Sequence, residues 1–209
     1  MTNKKVVIVD CGVGNLYSIS KAIGLYTENM FITDESDGLM SADAAVIPGV
    51  GAFGEGMRGL AARGLVKGLK AFALSGKPIL GICLGAQILL SEGYEFGKFD
   101  GLNLINGKVV KFPEIKEKVP HIGWNKIYSK NSEWKETILD RTPENANMYF
   151  VHSFVLKPER EENILALSEY GGHKFCSVVR YKKIFGCQFH PEKSGEEGLK
   201  IIESFLNLI

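Results

Sequence analysis

Gly81-Ile82-Cys83-Leu84-Gly85 is the most informative stretch of this chain, because it places a cysteine between two glycines where an apolar strand meets a helix. A strand-to-helix turn this sharp crowds the backbone, so the residues two before and two after the central one are expected to lack side chains. Gly81 and Gly85 meet that requirement. The pattern predicts a nucleophile elbow in a thiol form, set between a parallel sheet and a covering helix.

Such a turn holds the Cys83 sulfur at the edge of the sheet, beside the first backbone N–H groups of the next helix. Those unpaired N–H groups and the helix dipole favour an anion, so a thiolate that attacks carbonyl carbons is expected there. A cysteine in an apolar strand is more commonly a small core residue when these five residues are taken alone. The remainder of the chain has to decide between the two interpretations.

Apolar runs that end in glycine-rich turns alternate with helical patterns through the first ninety residues, which is the β-α-β order of a parallel sheet covered by helices. Beyond residue 102, strand-like runs follow one another and predict antiparallel strands and hairpins. The predicted class is α/β: an open, mostly parallel sheet flanked by helices, with an antiparallel strand extension. The predicted strands are 6–9, 44–47, 79–82, 108–112, 121–128, 148–156, 164–168, 175–180 and 184–189, and the predicted helices are 16–26, 57–74, 84–90 and 196–208.

Composition and charge argue against several classes of function. A chain of 209 residues with 45% hydrophobic content suffices for one sizeable core, so 1–209 is predicted to be a single domain. Lys and Arg number 25 against 24 Asp and Glu, so neither nucleic acid nor a membrane is expected as a partner. The four cysteines stand far apart without a C-x-x-C pair, so neither a metal site nor a disulfide is predicted, and a reducing cytoplasm is the expected location.

The glycine-rich loop 48–54 follows a predicted strand and formally matches G-x-G-x-x-G, the dinucleotide-binding fingerprint. That fingerprint also needs an acidic residue about twenty positions further on, yet none occurs between Glu55 and Glu92. A glycine loop can instead aim backbone N–H groups at a developing negative charge. We therefore predict an oxyanion hole formed by the N–H of Leu84 and the loop at Val50 and Gly51, where the glycines allow a peptide plane to rotate.

A thiol nucleophile needs a base, and the base needs a group that orients it. His190-Pro191-Glu192 follows the last apolar run and brings an imidazole and a carboxylate together around a proline turn. Taken alone, this turn is equally well a solvent-facing histidine before a helix. In a parallel sheet, however, the turn and the elbow would meet at the carboxyl ends of the strands, where ligands bind. Together they predict acyl transfer through a thioester, with Cys83 as nucleophile.

Several motifs resemble those of class I (triad) glutamine amidotransferases. They are Gly81-Ile82-Cys83-Leu84-Gly85-Ala86-Gln87, Pro48-Gly49-Val50-Gly51 and Phe189-His190-Pro191-Glu192-Lys193-Ser194. Pro120-His121-Ile122-Gly123-Trp124-Asn125 and Tyr149-Phe150-Val151-His152-Ser153 are similar to motifs of the glutaminase subunits of imidazole glycerol phosphate synthases. The resemblance covers nearly the whole chain in the same order, and it implies a flavodoxin-like fold of the class I amidotransferase type.

The resemblance implies that Cys83 attacks the side-chain amide of L-glutamine, that His190 transfers protons and that Glu192 orients His190. Ammonia leaves, water hydrolyses the thioester to L-glutamate, and the ammonia passes to a (β/α)₈-barrel cyclase (HisF-like) in a heterodimer that makes imidazole glycerol phosphate and AICAR in histidine biosynthesis. No cofactor and no metal is implied. By the same resemblance, Gln87, Glu95, Ser153 and Phe154 contact the substrate, and Trp124, Asn125, Tyr149 and Lys193 face the cyclase. His121, His152 and His173 are interpreted as structural, interface or surface residues.

Three alternatives stay open. Ala86 stands where the family usually has methionine, and Asn103 and Asn106 interrupt a usually glycine-rich stretch. These departures leave open a paralogue that supplies ammonia to a cyclase-like partner building an amidino group on a surface-polysaccharide sugar. A non-catalytic regulatory or binding subunit would not need the intact Cys83, His190 and Glu192. A cysteine peptidase or esterase with the same elbow would turn over peptides or esters and ignore glutamine.

Overall fold

The computed structural model describes residues 4–130 and 134–209. The predicted domain 1–209 therefore includes two short stretches outside the described residues. That the chain forms a single domain stays a prediction. The strands are β1 (Val6–Val9), β2 (Met30–Thr33), β3 (Ala44–Gly49), β4 (Ile79–Cys83), β5 (Leu90–Gly93), β6 (Phe99–Asp100), β7 (Ile105–Lys111), β8 (His121–Lys126), β9 (Tyr128–Ser129), β10 (Asn147–His152), β11 (Phe154–Pro158), β12 (Ile164–Tyr170), β13 (His173–Tyr181) and β14 (Ile184–Cys187). The helices are α1 (Leu16–Gly24), α2 (Ser36–Leu39), α3 (Phe53–Ala62), α4 (Leu65–Leu74), α5 (Leu84–Ile88) and α6 (Gly195–Asn207), with 3₁₀ turns at Glu161–Asn163 and Pro191–Lys193.

A twelve-stranded sheet organises the fold in the order β2-β1-β3-β4-β14-β13-β11-β7-β5-β6, with β12 paired to β13 and β9 paired to β12. The strands from β2 to β14 in this order are parallel, and the sheet continues from β14 mainly in antiparallel pairs. Strands β8 and β10 form a separate antiparallel pair. The predicted α/β class, with its antiparallel extension beyond the parallel part, is confirmed.

The core lies on both faces of the sheet. In β1, Val6 and Ile8 pack on one face, while Val7 and Val9 pack on the other, and all four are fully buried. Helices α1 and α6 cover the first face, and α3 and α4 cover the second. A parallel sheet buried on both sides needs strands that are apolar at every position, which is why β1 reads as an unbroken apolar run.

The helix predicted over 57–74 is wrong in two respects, because the helical region begins at Phe53 and two helices occupy it. Helix α3 ends at Ala62 and α4 begins at Leu65. Gly64, between them, adopts a left-handed conformation with φ of +67°. A left-handed residue cannot continue a right-handed helix, and glycine adopts that conformation without strain.

Several other boundaries differ from the prediction. Strand β7 begins at Ile105 rather than at 108, and α1 ends at Gly24 rather than at 26. The helix predicted over 84–90 ends at Ile88, because Leu90 begins β5 and pairs with Ile105 of β7. The strand predicted over 148–156 breaks at Ser153 into β10 and β11, which belong to different sheets, and the strand predicted over 121–128 breaks before β9. Strands β2, β5 and β6 had no predicted counterpart. The final helix agrees with its prediction to within one residue at each end.

The register of the parallel strands brings the predicted site residues to one edge of the sheet. Gly49 at the end of β3 lies beside Cys83 at the end of β4. Cys187, the last residue of β14, lies beside Ile82 on the other side of β4. His190 follows three residues later, so its turn is carried to the same edge. Across residues 4–130 and 134–209, no helix is long and apolar enough to cross a membrane.

Candidate active site

The elbow at Cys83 has the backbone geometry that its glycines predict. Cys83 has φ of 53° and ψ of −109°, a conformation that is strained for a residue with a side chain and is characteristic of a nucleophile at a sharp turn. A Cβ atom on Gly81 would stand 2.6 Å from the carbonyl oxygen of Gly85, and one on Gly85 would stand 1.7 Å from the carbonyl oxygen of Ile47. Both contacts are with backbone, so the expectation that these two positions exclude side chains is confirmed.

Cys83 also differs from the other three cysteines in its surroundings. Its side chain borders a cavity, whereas Cys176 and Cys187 are buried in the sheet, where burial raises the pKa of each thiol well above the ordinary value. Burial also raises the pKa of Cys11, whose sulfur contacts the carbonyl oxygens of Val13 and Pro48. A cysteine attacks a substrate as its thiolate and has to reach that substrate. Because its side chain borders the cavity, Cys83 is the candidate nucleophile among the four cysteines.

His190 and Glu192 form a buried pair behind the elbow. The Nδ1 atom of His190 lies 2.8 Å from Oε1 of Glu192, and the two side chains are 3% and 5% exposed. Burial lowers the pKa of His190, but its interactions with the nearby Cys83 sulfur and the Glu192 carboxylate outweigh that effect and raise the pKa to about 9. Glu192 therefore fixes Nδ1 as the donor, and the other ring nitrogen, Nε2, is left for the thiol.

Ser194, which the sequence motif did not assign, fastens the His190 turn to strand β10. Its hydroxyl donates to the carbonyl oxygen of His190 at 2.6 Å and accepts from the N–H of Tyr149 at 2.9 Å. The N–H of His190 in turn donates to the carbonyl oxygen of Tyr149 at 2.9 Å. The position of the imidazole is thus tied to the two-stranded sheet of β8 and β10.

A cavity of about 180 Å³ opens beside the Cys83 sulfur. Nine residues line it, and seven of them were predicted for the site: Val50, Gly51, Cys83, Gln87, Glu95, Ser153 and Phe154. The other two are Val151 and His152. This volume is below that of pockets for drug-sized ligands, and it suits a ligand of amino-acid size. A larger groove of about 570 Å³, lined by Lys70, Lys77 and Tyr181 among others, lies at the opposite edge of the sheet and contains none of the predicted residues.

The loop at Val50 and Gly51 lies over the cavity as predicted for a source of N–H donors. Gly51 has φ of +108°, and a Cβ atom there would meet no atom within 4 Å. Gly49 differs, because a Cβ atom there would stand 3.0 Å from the Leu84 side chain. Rotational freedom in this loop is therefore concentrated at Gly51. The assignment of Val50, Gly51 and Leu84 to an oxyanion hole stays a prediction.

Glu95 and Phe154 are each engaged by neighbouring groups. One carboxylate oxygen of Glu95 accepts the N–H of Phe53, at the start of α3, at 3.0 Å. The carbonyl oxygen of Phe154 lies 2.8 Å from Nδ1 of His152 and accepts a hydrogen bond from Nε2 of Gln87 at 3.4 Å. His121 and His152 are both buried, in agreement with their interpretation as structural residues, although His152 also lines the cavity.

The predicted partner-facing residues lie on and beside the two-stranded sheet. Trp124 on β8 is 58% exposed and packs edge-on against Tyr149 of β10, with ring centroids 6.0 Å apart. Asn125 follows on β8, and its Nδ2 atom donates to the carbonyl oxygen of Glu169 at 2.8 Å. Lys193 is exposed in the turn after His190. Among the described residues, no group of three or more His, Cys, Asp and Glu side chains could hold a metal ion.

Comparison with known proteins decides the family. The model of the family "Glutamine amidotransferase class-I" matches residues 7–208, nearly the whole chain. The chain belongs to the class I glutamine amidotransferases. This amidotransferase is 46% identical to imidazole glycerol phosphate synthase subunit HisH 1 of Legionella pneumophila (strain Paris), with 97% of this chain and 99% of that protein covered.

Two further relatives agree with the family, and two solved structures agree with the fold. The amidotransferase is 44% identical to the HisH subunit of Methanosarcina barkeri, with 98% of this chain and 99% of that protein covered, and 39% identical to that of Chlorobaculum tepidum, with 96% and 98% covered. The structure of PurLQS from Thermotoga maritima has a TM-score of 0.77 at 20% identity and covers 99% of both chains. A glutamine amidotransferase crystal structure has a TM-score of 0.74 at 18% identity and covers 97% of both. These two structures show the fold.

Replacing Glu192 with Gln in the amidotransferase should shift its activity at alkaline pH. The carboxylate contributes to raising the His190 pKa to about 9, so Glu192→Gln should return it toward the ordinary 6.5. The imidazolium proton is then lost at a lower pH, and the alkaline limb of glutamine turnover should move down with it. Turnover itself should fall by up to about 10⁴-fold, the loss known for replacing the carboxylate that orients a triad histidine by its amide.

The same change should alter the pH dependence of stability. Because the folded pKa of His190 is raised, the stabilisation is fully present below about 6.5 and is lost as pH rises through about 9. The difference in unfolding free energy between the wild type and Glu192→Gln should follow that course. Glu196→Gln, at an exposed glutamate in the first turn of α6, is the control. Identical pH profiles for the Glu192→Gln and Glu196→Gln variants would contradict the assignment.

Proposed function

We propose that this chain is the glutaminase subunit of an imidazole glycerol phosphate synthase, hydrolysing L-glutamine to L-glutamate and ammonia through a thioester on Cys83. The observation that carries the proposal is the placement of Cys83, backed by the buried pair of His190 and Glu192, at a cavity of about 180 Å³. The identity of 39–46% to HisH subunits over nearly the full chain supports the pathway.

The residues can carry out the reaction in two stages. His190 takes the proton from the Cys83 thiol, and the sulfur attacks the side-chain carbonyl carbon of glutamine. The N–H of Leu84 and an N–H of the Val50-Gly51 loop stabilise the oxyanion, and a proton from His190 allows ammonia to leave. In the second stage His190 activates a water molecule, which hydrolyses the thioester to glutamate and restores the thiol.

The wall of the cavity supplies contacts for the remainder of the substrate. The carboxylate of Glu95 faces the cavity and suits the α-ammonium group of glutamine. The backbone at Ser153 and Phe154, where β10 passes into β11, provides groups for the α-carboxylate. Gln87, 5% exposed on α5, completes the wall. A cavity of this size leaves little room for a peptide, so the lining favours a free amino acid over a peptidase substrate.

Ammonia released here requires a partner that consumes it, because ammonia is protonated and dispersed in bulk water. We place a (β/α)₈-barrel cyclase, HisF-like, against the exposed side of the two-stranded sheet. Ile122 and Trp124 of β8 are 60% and 58% exposed there, and exposed aromatic and aliphatic side chains of this kind typically anchor a protein interface. The amidotransferase would act as a heterodimer in the cytoplasm, where its four free cysteines stay reduced.

Glutamate release with and without the cyclase tests the proposal. The purified chain should hydrolyse glutamine slowly alone and be stimulated strongly when a cyclase of imidazole glycerol phosphate synthase and its nucleotide acceptor are present. Trp124→Ala should weaken the stimulation about tenfold or more, as expected for an aromatic side chain that becomes buried at the centre of an interface. Tyr181→Ala, at an exposed aromatic residue on the opposite edge of the sheet, should not.

The failure of stimulation would be informative if the cyclase is competent with free ammonia. That result would overturn the histidine-pathway assignment and favour the paralogue with a sugar-amidating partner. Turnover of peptides or esters, with no effect of glutamine, would instead indicate a hydrolase of another specificity.

A further inference from the structure

Gln188 is a buried residue beside the nucleophile for which the sequence motifs give no role. It lies between the end of β14 and His190, and it is 0% exposed. Its Oε1 atom is 3.2 Å from Nε2 of Gln87, and its Nε2 atom is 3.9 Å from the sulfur of Cys83. Both the oxygen and the nitrogen of this buried amide lie beside polar groups of the site, so the side chain is a candidate for a functional role as well as for packing.

The carbonyl oxygen of Phe154 fixes which end of each amide points where. A carbonyl oxygen can only accept, so the Gln87 group facing it at 3.4 Å must be the NH₂ group. The two hydrogens of that NH₂ group serve the Phe154 oxygen and Oε1 of Gln188. Reversing the Gln188 amide would place its NH₂ group against that of Gln87. The only orientation that pairs all of these atoms aims the Gln188 N–H at the Cys83 sulfur.

A second branch of hydrogen bonds holds the Phe154 carbonyl in place. Nδ1 of His152 lies 2.8 Å from that oxygen, so Nδ1 carries the proton. Burial lowers the pKa of His152 to about 3, so the ring is neutral and its Nε2 accepts from Nδ1 of His121 at 3.2 Å. Burial lowers the pKa of His121 to about 4 as well. Two neutral rings thus position the carbonyl from which the amide orientation follows.

We propose that Gln188 is a catalytic residue that donates its side-chain N–H to the thiolate of Cys83, with Gln87 as the group that positions it. The proposal deepens the proposed function and rests on it for the identity of the nucleophile. When the Cys83 proton moves from sulfur to Nε2 of His190, the Gln188 N–H gains a charged acceptor and keeps its own proton. The carbonyl oxygen of Val151, 3.9 Å from the sulfur, can accept only from the thiol form. When Cys83 ionises, its sulfur loses the hydrogen bond to the Val151 carbonyl, and the Gln188 N–H provides a hydrogen bond to the thiolate instead.

The ionisable groups around the sulfur are His190, with Glu192 behind it, and Glu95 and His152 in the cavity wall. Each of these stays in place when Gln188 is replaced by Met, which removes the amide without adding charge. A change in thiol reactivity in this variant therefore reports the amide.

Alkylation of Cys83 by iodoacetamide, measured against pH in the full-length chain, tests the proposal without depending on glutamine turnover. The midpoint of the profile should rise by about one pH unit in Gln188→Met, so that alkylation at any pH below both midpoints is about tenfold slower, as expected when a charged acceptor loses a hydrogen bond. Gln188→Glu should raise it further, since it adds negative charge. In glutamine hydrolysis, kcat should fall about tenfold or more in Gln188→Met while KM changes little.

Ser177→Ala is the matched control, because Ser177 is a fully buried neighbour on β13 whose carbonyl oxygen accepts the Gln188 backbone N–H at 2.9 Å. Its midpoint should equal that of the wild type. An unchanged midpoint in folded Gln188→Met would overturn the proposal. If that variant does not fold, the side-chain amide proton resonances of Gln188 decide in the wild type. They should shift as Cys83 ionises and lose that shift in Cys83→Ala, and a pH-independent resonance in the wild type would equally overturn it.

Discussion

Cys83→Ala should abolish glutamine hydrolysis while leaving the fold intact. Removing the nucleophile of a triad enzyme costs on the order of 10⁶ in turnover in the best-studied case, so we expect a loss of at least about 10⁴ here. Alanine keeps the Cβ atom, so it is subject to the same backbone strain at φ of 53° as the native cysteine. The side chain is 7% exposed and borders the cavity, so the truncation removes one sulfur atom at the cavity wall and introduces no clash.

The measurement is glutamine-dependent product formation by the complex with the cyclase, alongside the same reaction supplied with free ammonia. Cys83→Ala should lose the first activity and keep the second, because only the glutaminase step uses the thiol. Cys176→Ala is the control, since that thiol is buried in β13, away from the cavity, and contacts the carbonyl oxygen of Val178. Glutamine-dependent activity that survives in Cys83→Ala above the background of an ammonia-free assay would refute the thioester mechanism.

The elbow could be predicted from sequence because its requirements are local. Two glycines flanking Cys83 by two residues are needed by the turn itself, whatever surrounds it, and the structure places backbone atoms where their side chains would be. Strands β1, β3 and β4 before residue 90 were equally predictable, because they are buried on both faces and are therefore apolar at every position. Strand β2, which is only partly buried, was not predicted. The triad followed from the motif, although its assignment as a functional unit stays a proposal.

Other features depend on partners that are far away in the sequence. The run 148–156 has no residue that marks a break, yet it divides at Ser153 because β10 pairs with β8 while β11 pairs with β7. These pairing partners determine which sheet each half of the run joins. Gln188 was missed for the same reason, because its orientation depends on Gln87 and on the carbonyl of Phe154. Each of these comes from a different segment, and no local pattern joins them.

Gly85→Ala should destabilise the fold more than any other single-methyl substitution at the elbow. The added Cβ atom would stand 1.7 Å from the carbonyl oxygen of Ile47 and 2.7 Å from its carbonyl carbon, and both atoms belong to a fully buried strand that cannot yield as a side chain would. Helix α5 would have to move away from β3, carrying with it Leu84, whose side chain lies close to Gly49 at the end of that strand. We expect the free energy of unfolding to fall by at least about 3 kcal/mol, within the range for severe core overpacking, and Tm to fall by roughly 6–12 °C for a chain of this size.

Gly24→Ala, at the end of α1, is the control, because the nearest atom to its Cβ would be the flexible end of Met30 at 3.4 Å. Urea unfolding of the two variants gives the comparison, and a midpoint for Gly85→Ala that equals that of Gly24→Ala would show that the helix and strand can separate at little cost.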